Sequence, residues 1–366
     1  MDFSLPPGCL RSLKRTFVAG ILAAISSHPL WSAEIIDLGS LGGNSSQANA
    51  INEAGQVVGW AATRTGPDPF LYSNGHMTDL GRLSGGESAA AIAINNSGQI
   101  VGTAGFTFPG GDTTEAFLYN GGHMVGLGTL AGPANDSNNS VAYGINDSGQ
   151  VVGRSSGFNS VNGFLYQNGQ MTTFLPASLN NGSVANAINN TGQIVGDYPR
   201  GYVDTNGRIR WLGPTLGTNV YPTAINNSGE VVGYVLAGIN GGAAFFNTPG
   251  HMTIVNAPGF IYTWAVAVNN EGVAVGYGTP ASGYGNDALE FVDGNVIDLN
   301  SLLPANSGWQ LFSASGINDS GQIAGTGWYH GQELAFLLDT ATTPEPTPLA
   351  LLGFGIVLLG LMRRLT

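Results

Sequence analysis

Charge and sulfur are both scarce in this sequence. Of 366 residues only 9% are charged, and the single cysteine is Cys9. Soluble domains usually carry about 25% charged residues, so a coiled coil or a charge-rich disordered chain, each built on Glu and Lys, is excluded. Cys9 sits in the N-terminal leader, which leaves the body with neither disulfides nor thiol chemistry. Stability must come from burial and strand pairing. Basic residues are scarcer still. Arg11, Lys14, Arg15, Arg363 and Arg364 lie near the ends, and between Glu34 and Glu345 there are six Arg, no Lys and 22 acids, a net charge of -16. Phosphate is bound by clustered Lys and Arg, so nucleic acid and anionic membrane surfaces are excluded as partners of the body. A helical period is also missing. Glycine, by contrast, is abundant, with 57 residues, about twice the usual share, and without the period of three that collagen requires. Such a chain reads as many short strands joined by tight turns.

One motif recurs through the body: apolar-Asn-x-x-Gly, a short apolar strand, then Gly. It is first seen as Ile51-Asn52-Glu53-Ala54-Gly55-Gln56-Val57-Val58-Gly59. Its Asn and Gly return at Asn95 and Gly98, Asn146 and Gly149, Asn189 and Gly192, Asn226 and Gly229, Asn269 and Gly272, and Asn318 and Gly321. The spacing averages about 44 residues, the size of one β-propeller blade. In these turns the Asn side chain can cap the backbone while Gly takes the left-handed position. A second pattern follows in each unit. Phe70-Leu71-Tyr72, then Asn74-Gly75, then Met77-Thr78-Asp79-Leu80-Gly81 reads as strand, tight turn and strand, and Gly121-Gly122 and Asn168-Gly169 repeat the turn. Each unit therefore holds about four strands. In the first unit they end at Asn52, run Gln56 to Trp60, Phe70 to Tyr72, and Met77 to Leu80.

The spacing predicts an all-β, seven-bladed propeller over 34–340, with units near 46–86, 87–133, 134–178, 179–217, 218–260, 261–308 and 309–340. Closure is predicted as well. The opening segment Glu34 to Gly43 matches the fourth-strand segment Met77 to Leu83, and the last unit stops after its third strand, Ala335-Phe336-Leu337-Leu338. The N-terminal strand can complete the seventh blade. A β-solenoid, the competing fold, would not need one terminus to supply what the other lacks.

The ends read as addresses. Arg11, Lys14 and Arg15 precede an apolar run from Phe17 to Ile25, the pattern of a secretory signal, here assigned to 1–33. The run is too short to span about 30 Å of hydrocarbon. At the other end, Thr343-Pro344-Glu345-Pro346-Thr347 leads into apolar residues Leu349 to Met362 and then Arg363-Arg364. The two arginines would stay cytoplasmic, while Pro344 and Pro346 hold an extended segment. This order resembles the PEP-CTERM sorting signal. The resemblance implies a sorting tail over 341–366 with a membrane helix at about 348–362, transient inner-membrane anchoring, and processing by an exosortase-type enzyme in Gram-negative bacteria that make exopolysaccharide.

The repeat itself resembles the HAF repeat of bacterial extracellular proteins: His-Ala-Phe-Leu-Trp, a Gly turn, Met, Asp-Leu-Gly, then Asn-x-x-Gly-Gln-Val-Val-Gly. The likeness covers about Glu34 to Asp339. It departs in that the His is absent from every copy, as at Pro69-Phe70 and Glu115-Ala116-Phe117. The fourth unit diverges most, with Gly201-Tyr202-Val203 and Arg208-Ile209-Arg210-Trp211. The resemblance implies architecture and an extracellular location, and no general activity.

Chemistry is thinly represented. His76, His123 and His251 each precede Met at the same hairpin turn, so they fall on separate units, and His330 stands apart. A metal needs its ligands about 2 Å from one ion, so no metal site is expected. Nucleophile elbows and zinc-helix motifs are missing. Gly110-Gly111 and Gly241-Gly242 lack the Lys and helix of a phosphate loop. Asn146-Asp147-Ser148-Gly149 and Asn318-Asp319-Ser320-Gly321 come nearest to a calcium loop, but most other copies lack the acid. No catalytic residue and no cofactor are expected; weak calcium binding is conceivable and is not assigned. An enzyme on the axis, a hydrolase or lyase, would need acids such as Asp147, Asp319 and Asp298 in one pocket. The polar run Asn135 to Ser140 with Phe106, Phe108, Phe158, Tyr202, Trp211, Tyr262, Trp264, Tyr284, Trp309, Trp328 and Tyr329 is a candidate carbohydrate-binding face. Packing between blades is the plainer use of those rings. The leading expectation is an exported, non-enzymatic surface or exopolysaccharide-matrix protein of structural or adhesive role, such as a biofilm component; a carbohydrate-binding module is the alternative.

Overall fold

A computed structural model describes residues 33–108, 111–131, 138–157, 160–175, 182–197, 200–213, 219–236 and 242–340. The signal segment (apart from Ala33), the sorting tail and its residues Pro344, Glu345, Pro346, Arg363 and Arg364 lie outside the described residues.

The Asn-x-x-Gly turns and the Asn-Gly turns divide the chain into short antiparallel strands, and these assemble into seven four-stranded sheets. Six blades run in simple sequence order over 46–79, 88–126, 139–172, 184–211, 219–254 and 260–298. The seventh combines three strands from 309–339 with Glu34–Asp37. That N-terminal strand pairs antiparallel with Gln332–Asp339, placing Glu34 opposite Asp339, Ile35 opposite Leu338, Ile36 opposite Leu337 and Asp37 opposite Phe336. The described residues therefore form an all-β, seven-bladed propeller closed by the strand Glu34–Asp37, and not a solenoid. One turn of 3-10 helix, Leu299–Leu302, is the only helix among the described residues.

The closing seam is built like its neighbours. Asp37 accepts from Gly39 N at 2.8 Å, as Asp79 accepts from Gly81 N at 2.8 Å. Ala335 N donates to Ser46 Oγ at 3.0 Å, as Ala116 N donates to Ser140 Oγ at 2.9 Å between blades 2 and 3. A noncovalent junction between the two ends of the body thus repeats the contacts of a covalently continuous one.

Two features of each blade follow from local chemistry. The hairpin turns predicted from Asn-Gly pairs have both residues at positive φ, as in Asn74 (52°) with Gly75 (81°) and Asn168 (54°) with Gly169 (81°), which fixes the twist of the hairpin. The Gly that ends each Val-Val-Gly has a different reason. The inner strand of every blade carries a bulge, between Ala48 and Ala50 in blade 1 and at the matching place in the other six. A Cβ on Gly153 would lie 2.0 Å from Val141 O and 2.8 Å from the Phe164 ring, and Gly59 would meet Gln47 O at 1.9 Å. Glycine is needed there because backbone and ring approach too closely for any side chain.

The third strand is longer than expected. Gly66–Ser73 begins well before Phe70 and includes Pro67 and Pro69. The outer strand, His76–Asp79, covers only its second half. Pro is tolerated beyond that limit because no ladder donor is required there.

Apolar residues gather between blades. Phe70, Phe117, Phe164 and Phe245 are fully buried, each contributing about 1.5–3 kcal/mol. Blades 2 and 3 share Val101, Ala116, Leu127, Ala142, Ile145, Val151 and Phe164. The junction of blades 3 and 4 has a smaller set, Val152, Ala185, Ile188 and Ile194.

Candidate functional site

The first strands of successive blades touch one another around a closed cycle, so they form the innermost layer and their Asn-x-x-Gly turns gather at one mouth of the axis. The seven turn asparagines are nearly inaccessible, from 1% exposure at Asn318 to 5% at Asn269. Asn146 shows how such a polar side chain is buried without penalty. Its Oδ1 accepts from Ser148 N at 3.1 Å and Gln150 N at 3.0 Å. Its Nδ2 donates to Gln150 Oε1 at 2.8 Å and to Asn189 O at 3.1 Å. Both donors and both acceptor positions of the amide are used.

The bond to Asn189 O crosses to the next blade, and it recurs all the way round. Asn52 reaches Asn95 O, Asn95 reaches Asn146 O, Asn189 reaches Asn226 O, Asn226 reaches Asn269 O, and Asn269 reaches Asn318 O. Asn318 returns to Asn52 O at 3.2 Å. A second belt runs through the following residue of each turn, in which the backbone N–H of one blade donates to the side-chain oxygen of the next. Glu53 N reaches Asn96 Oδ1, Asn96 N reaches Asp147 Oδ1, and the series closes with Asp319 N on Glu53 Oε2 at 3.0 Å. Each asparagine thus caps its own turn and also reaches the neighbouring blade, a contact with no sequence signature at a spacing that varies between units.

The calcium-like turns lie in this belt. Asp147 accepts from Asn96 N, from Asn96 Nδ2 and from Asn190 Nδ2, and Asp319 accepts from Asn270 N and Nδ2. Burial first, with Asp319 and Asp147 as neighbouring charges, raises the Glu53 carboxyl above its usual range, against a backbone hydrogen bond that lowers it. Asp298 lies elsewhere, capping Leu299–Leu302 by accepting from Asn300 N at 2.9 Å, so the three acids proposed for an axial enzyme do not share a pocket. Among the described residues no group of three His, Cys, Asp or Glu side chains is placed to hold a metal ion. His76, His123 and His251 each begin an outer strand on a different blade.

The aromatic candidates divide among several places. Tyr202 is buried, with its hydroxyl donating to Val184 O at 2.9 Å. Trp264 stacks on Tyr277 at 5.0 Å and meets Tyr262 and Tyr234, joining blades 5 and 6. Trp309 stacks on Tyr329 at 4.6 Å within blade 7. Trp328 and Tyr284 are exposed, Trp328 beside Phe312. Phe158 and residues 132–137 lie outside the described residues. Ser140, at the end of that polar run, is fully buried and donates to Gly128 O. These rings do not form one face.

A groove of about 420 Å³ opens between blades 3 and 4. Gln150, Gln167, Asn190, Asn206 and Asp204 supply polar groups, and Leu165, Phe174, Ile188 and Ile194 supply apolar wall. One of its lining residues departs from the pattern of the first three blades. The strand residue opposite Val57 is Tyr72, opposite Ile100 is Tyr119, and opposite Val151 is Tyr166. Opposite Ile194 the chain has Asp204. Each of those tyrosines packs toward the preceding blade; blade 4 replaces the ring with a short carboxylate. Asp204 is 3% exposed. Its Oδ2 accepts from Gly207 N at 3.2 Å, while its buried Oδ1 has no hydrogen-bond partner. Desolvation raises its carboxyl above the ordinary range.

No family model matches the chain, and no curated protein matches it. Solved structures do. A protein of unknown function from Bacteroides thetaiotaomicron matches at 11% identity and a TM-score of 0.39, covering 84% of this chain and 76% of that one. AofleA from Arthrobotrys oligospora matches at 11% identity and a TM-score of 0.38, covering 82% and 87%. The Trypanosoma rangeli sialidase matches at 12% identity and a TM-score of 0.36, covering 84% and 59%. At this level of identity and superposition they carry no argument about function.

Proposed function

We propose that this chain is an exported, non-enzymatic HAF-type propeller of the cell surface or exopolysaccharide matrix, with a structural or adhesive role. The observation that carries the reading is the pair of closed hydrogen-bond belts at the axial mouth. The polar groups where a propeller could gather reactive side chains are spent on joining blades. The body also lacks lysine and has few cations, which suits persistence among neutral or anionic polymers rather than adhesion to them by charge. The terminal sequences supply the route: a secretory signal, then transient inner-membrane anchoring through the apolar tail and exosortase-type cleavage near Pro344-Glu345-Pro346. Intact-mass spectrometry of the secreted protein tests this reading. The expected species lacks both the leader and the Leu349 to Arg364 segment; a secreted form that retains that segment contradicts the sorting route.

A further inference from the structure

The most informative departure from the repeat is in blade 4. Reading the blades in register, the third strand carries Phe-Leu-Tyr in blades 1 to 3 and Tyr202-Val203-Asp204 in blade 4, while blades 5 to 7 have Asn247, Phe291 and Leu338 at the last of these places. The exchange is costly for a purely architectural strand. It removes an aromatic ring from an interblade core that is already small, and it buries a carboxylate oxygen without a donor. An unsatisfied buried polar group costs about 1–3 kcal/mol, and more when charged. Asp204 also lines a groove of about 420 Å³, within the size range of small-molecule sites and more than ten times the roughly 30 Å³ share of one water.

We propose that the groove between blades 3 and 4 is a binding site for a neutral, hydroxyl-rich ring of the size of a single sugar residue, with Asp204 as the acceptor at its base. The chemistry of the lining selects this class. Oδ1 of Asp204 is buried without a donor of its own, and one carboxylate with a single unpartnered oxygen is too few ligands for a hard cation. Gln150 donates to Gln167 Oε1 at 3.0 Å, so the polar side of the groove is made of carboxamides, which donate and accept as hydroxyls do. The opposite side is apolar, with Leu165, Phe174 and Ile194 available to the C–H face of a ring. An acidic body with no lysine disfavours an anion. The site is independent of export and of processing at either terminus.

The test uses the full chain with D-glucose, D-galactose, D-mannose and N-acetyl-D-glucosamine as probes, followed by saturation-transfer NMR and titration. At least one sugar is expected to saturate with a Kd at or below about 10 mM, a modest affinity for one ring. Asp204→Tyr, which restores the residue of blades 1 to 3, narrows the groove and removes the carboxylate, should weaken it at least about tenfold, the loss expected for a hydrogen bond to a charged group. Asp112→Asn, on the exposed face of blade 2, should leave it unchanged. If Asp204→Tyr does not fold, as judged by circular dichroism, Asp204→Ala replaces it with the same expected loss. Failure of all four sugars at about 50 mM, binding that survives loss of the carboxylate, or binding of putrescine or calcium in place of sugar would each overturn the assignment.

Discussion

Consider the replacement of Asn146 by alanine. Four hydrogen bonds are lost, three within the turn and one to blade 4. A typical bond contributes about 0.5–1.5 kcal/mol net. The turn lies at a mouth that water can reach once the amide is gone, so the groups left behind are partly resolvated and the low half of the summed range applies. The expected loss is about 2–4 kcal/mol, a large part of an ordinary domain's stability. Asn269 provides an internal standard. Val273 stands where Asn146 has Gln150, so Asn269 makes only three of the four bonds, and Asn269→Ala should cost about 1 kcal/mol less. Asn146→Asp separates geometry from chemistry. It keeps the shape but turns a double donor into an acceptor facing Gln150 Oε1 and Asn189 O, and should destabilise at least as much as alanine. Urea unfolding at neutral pH, followed by tryptophan fluorescence, reads all three. If Asn146→Asp matches the parent protein within about 0.5 kcal/mol, the side chain is not the interblade donor and the reasoning fails.

Three further outcomes follow from other parts of the molecule. Burial is the main cause that raises the carboxyls of Glu53, Asp197, Asp204, Glu230 and Asp287. A carboxyl raised on folding gives stability that is full below its unfolded value and lost as pH climbs through the folded value, so the melting temperature should rise as pH is lowered from 7 toward about 5; a fall over that interval would mean the opposite linkage. Gly153→Ala, where a Cβ meets backbone at 2.0 Å, should abolish folding, whereas Gly149→Ala, at φ 77° with only a side chain nearby at 3.4 Å, should cost about 1–2 kcal/mol; equal effects in thermal melts would refute the close-approach explanation. Deleting 34–38 leaves the hydrogen-bonding edge of Gln332–Asp339 open, and the product should self-associate on size-exclusion chromatography; a stable monomer would contradict it.

Much of the fold was legible because its signals are short-range. Asn74-Gly75 and Asn168-Gly169 name their turns within two residues, and Asp37-Leu38-Gly39 announces itself as a displaced fourth strand because it copies Asp79-Leu80-Gly81. Non-local features were less accessible. The inner-strand bulge falls on Asn49, Tyr143, Asn186 and Thr223 among others, so no residue type marks it. The belts join turns 37 to 51 residues apart and close over 266, and the turn motif alone cannot reveal where the second amide hydrogen goes. A strand read as Phe70 to Tyr72 leaves out Pro67 and Pro69, because the sequence does not show how far the outer partner extends. The blade 4 groove was within reach. In register, Asp204 stands against Tyr72, Tyr119 and Tyr166 of the first three blades and Asn247, Phe291 and Leu338 of the last three, whereas the aromatic residues are spread over several blades.

The closed ring is tested most directly by a covalent bond across its seam. With Cys9 replaced by serine, Glu34→Cys and Asp339→Cys put thiols on paired residues of adjacent antiparallel strands, within the Cα separation a disulfide spans. Mild oxidation followed by proteolysis and mass spectrometry should yield a peptide joining positions 34 and 339 in high yield, from monomer, with the parent melting temperature retained or raised. Free thiols at both positions after oxidation, or cross-links only between separate molecules, would contradict a ring closed by its own N-terminal strand.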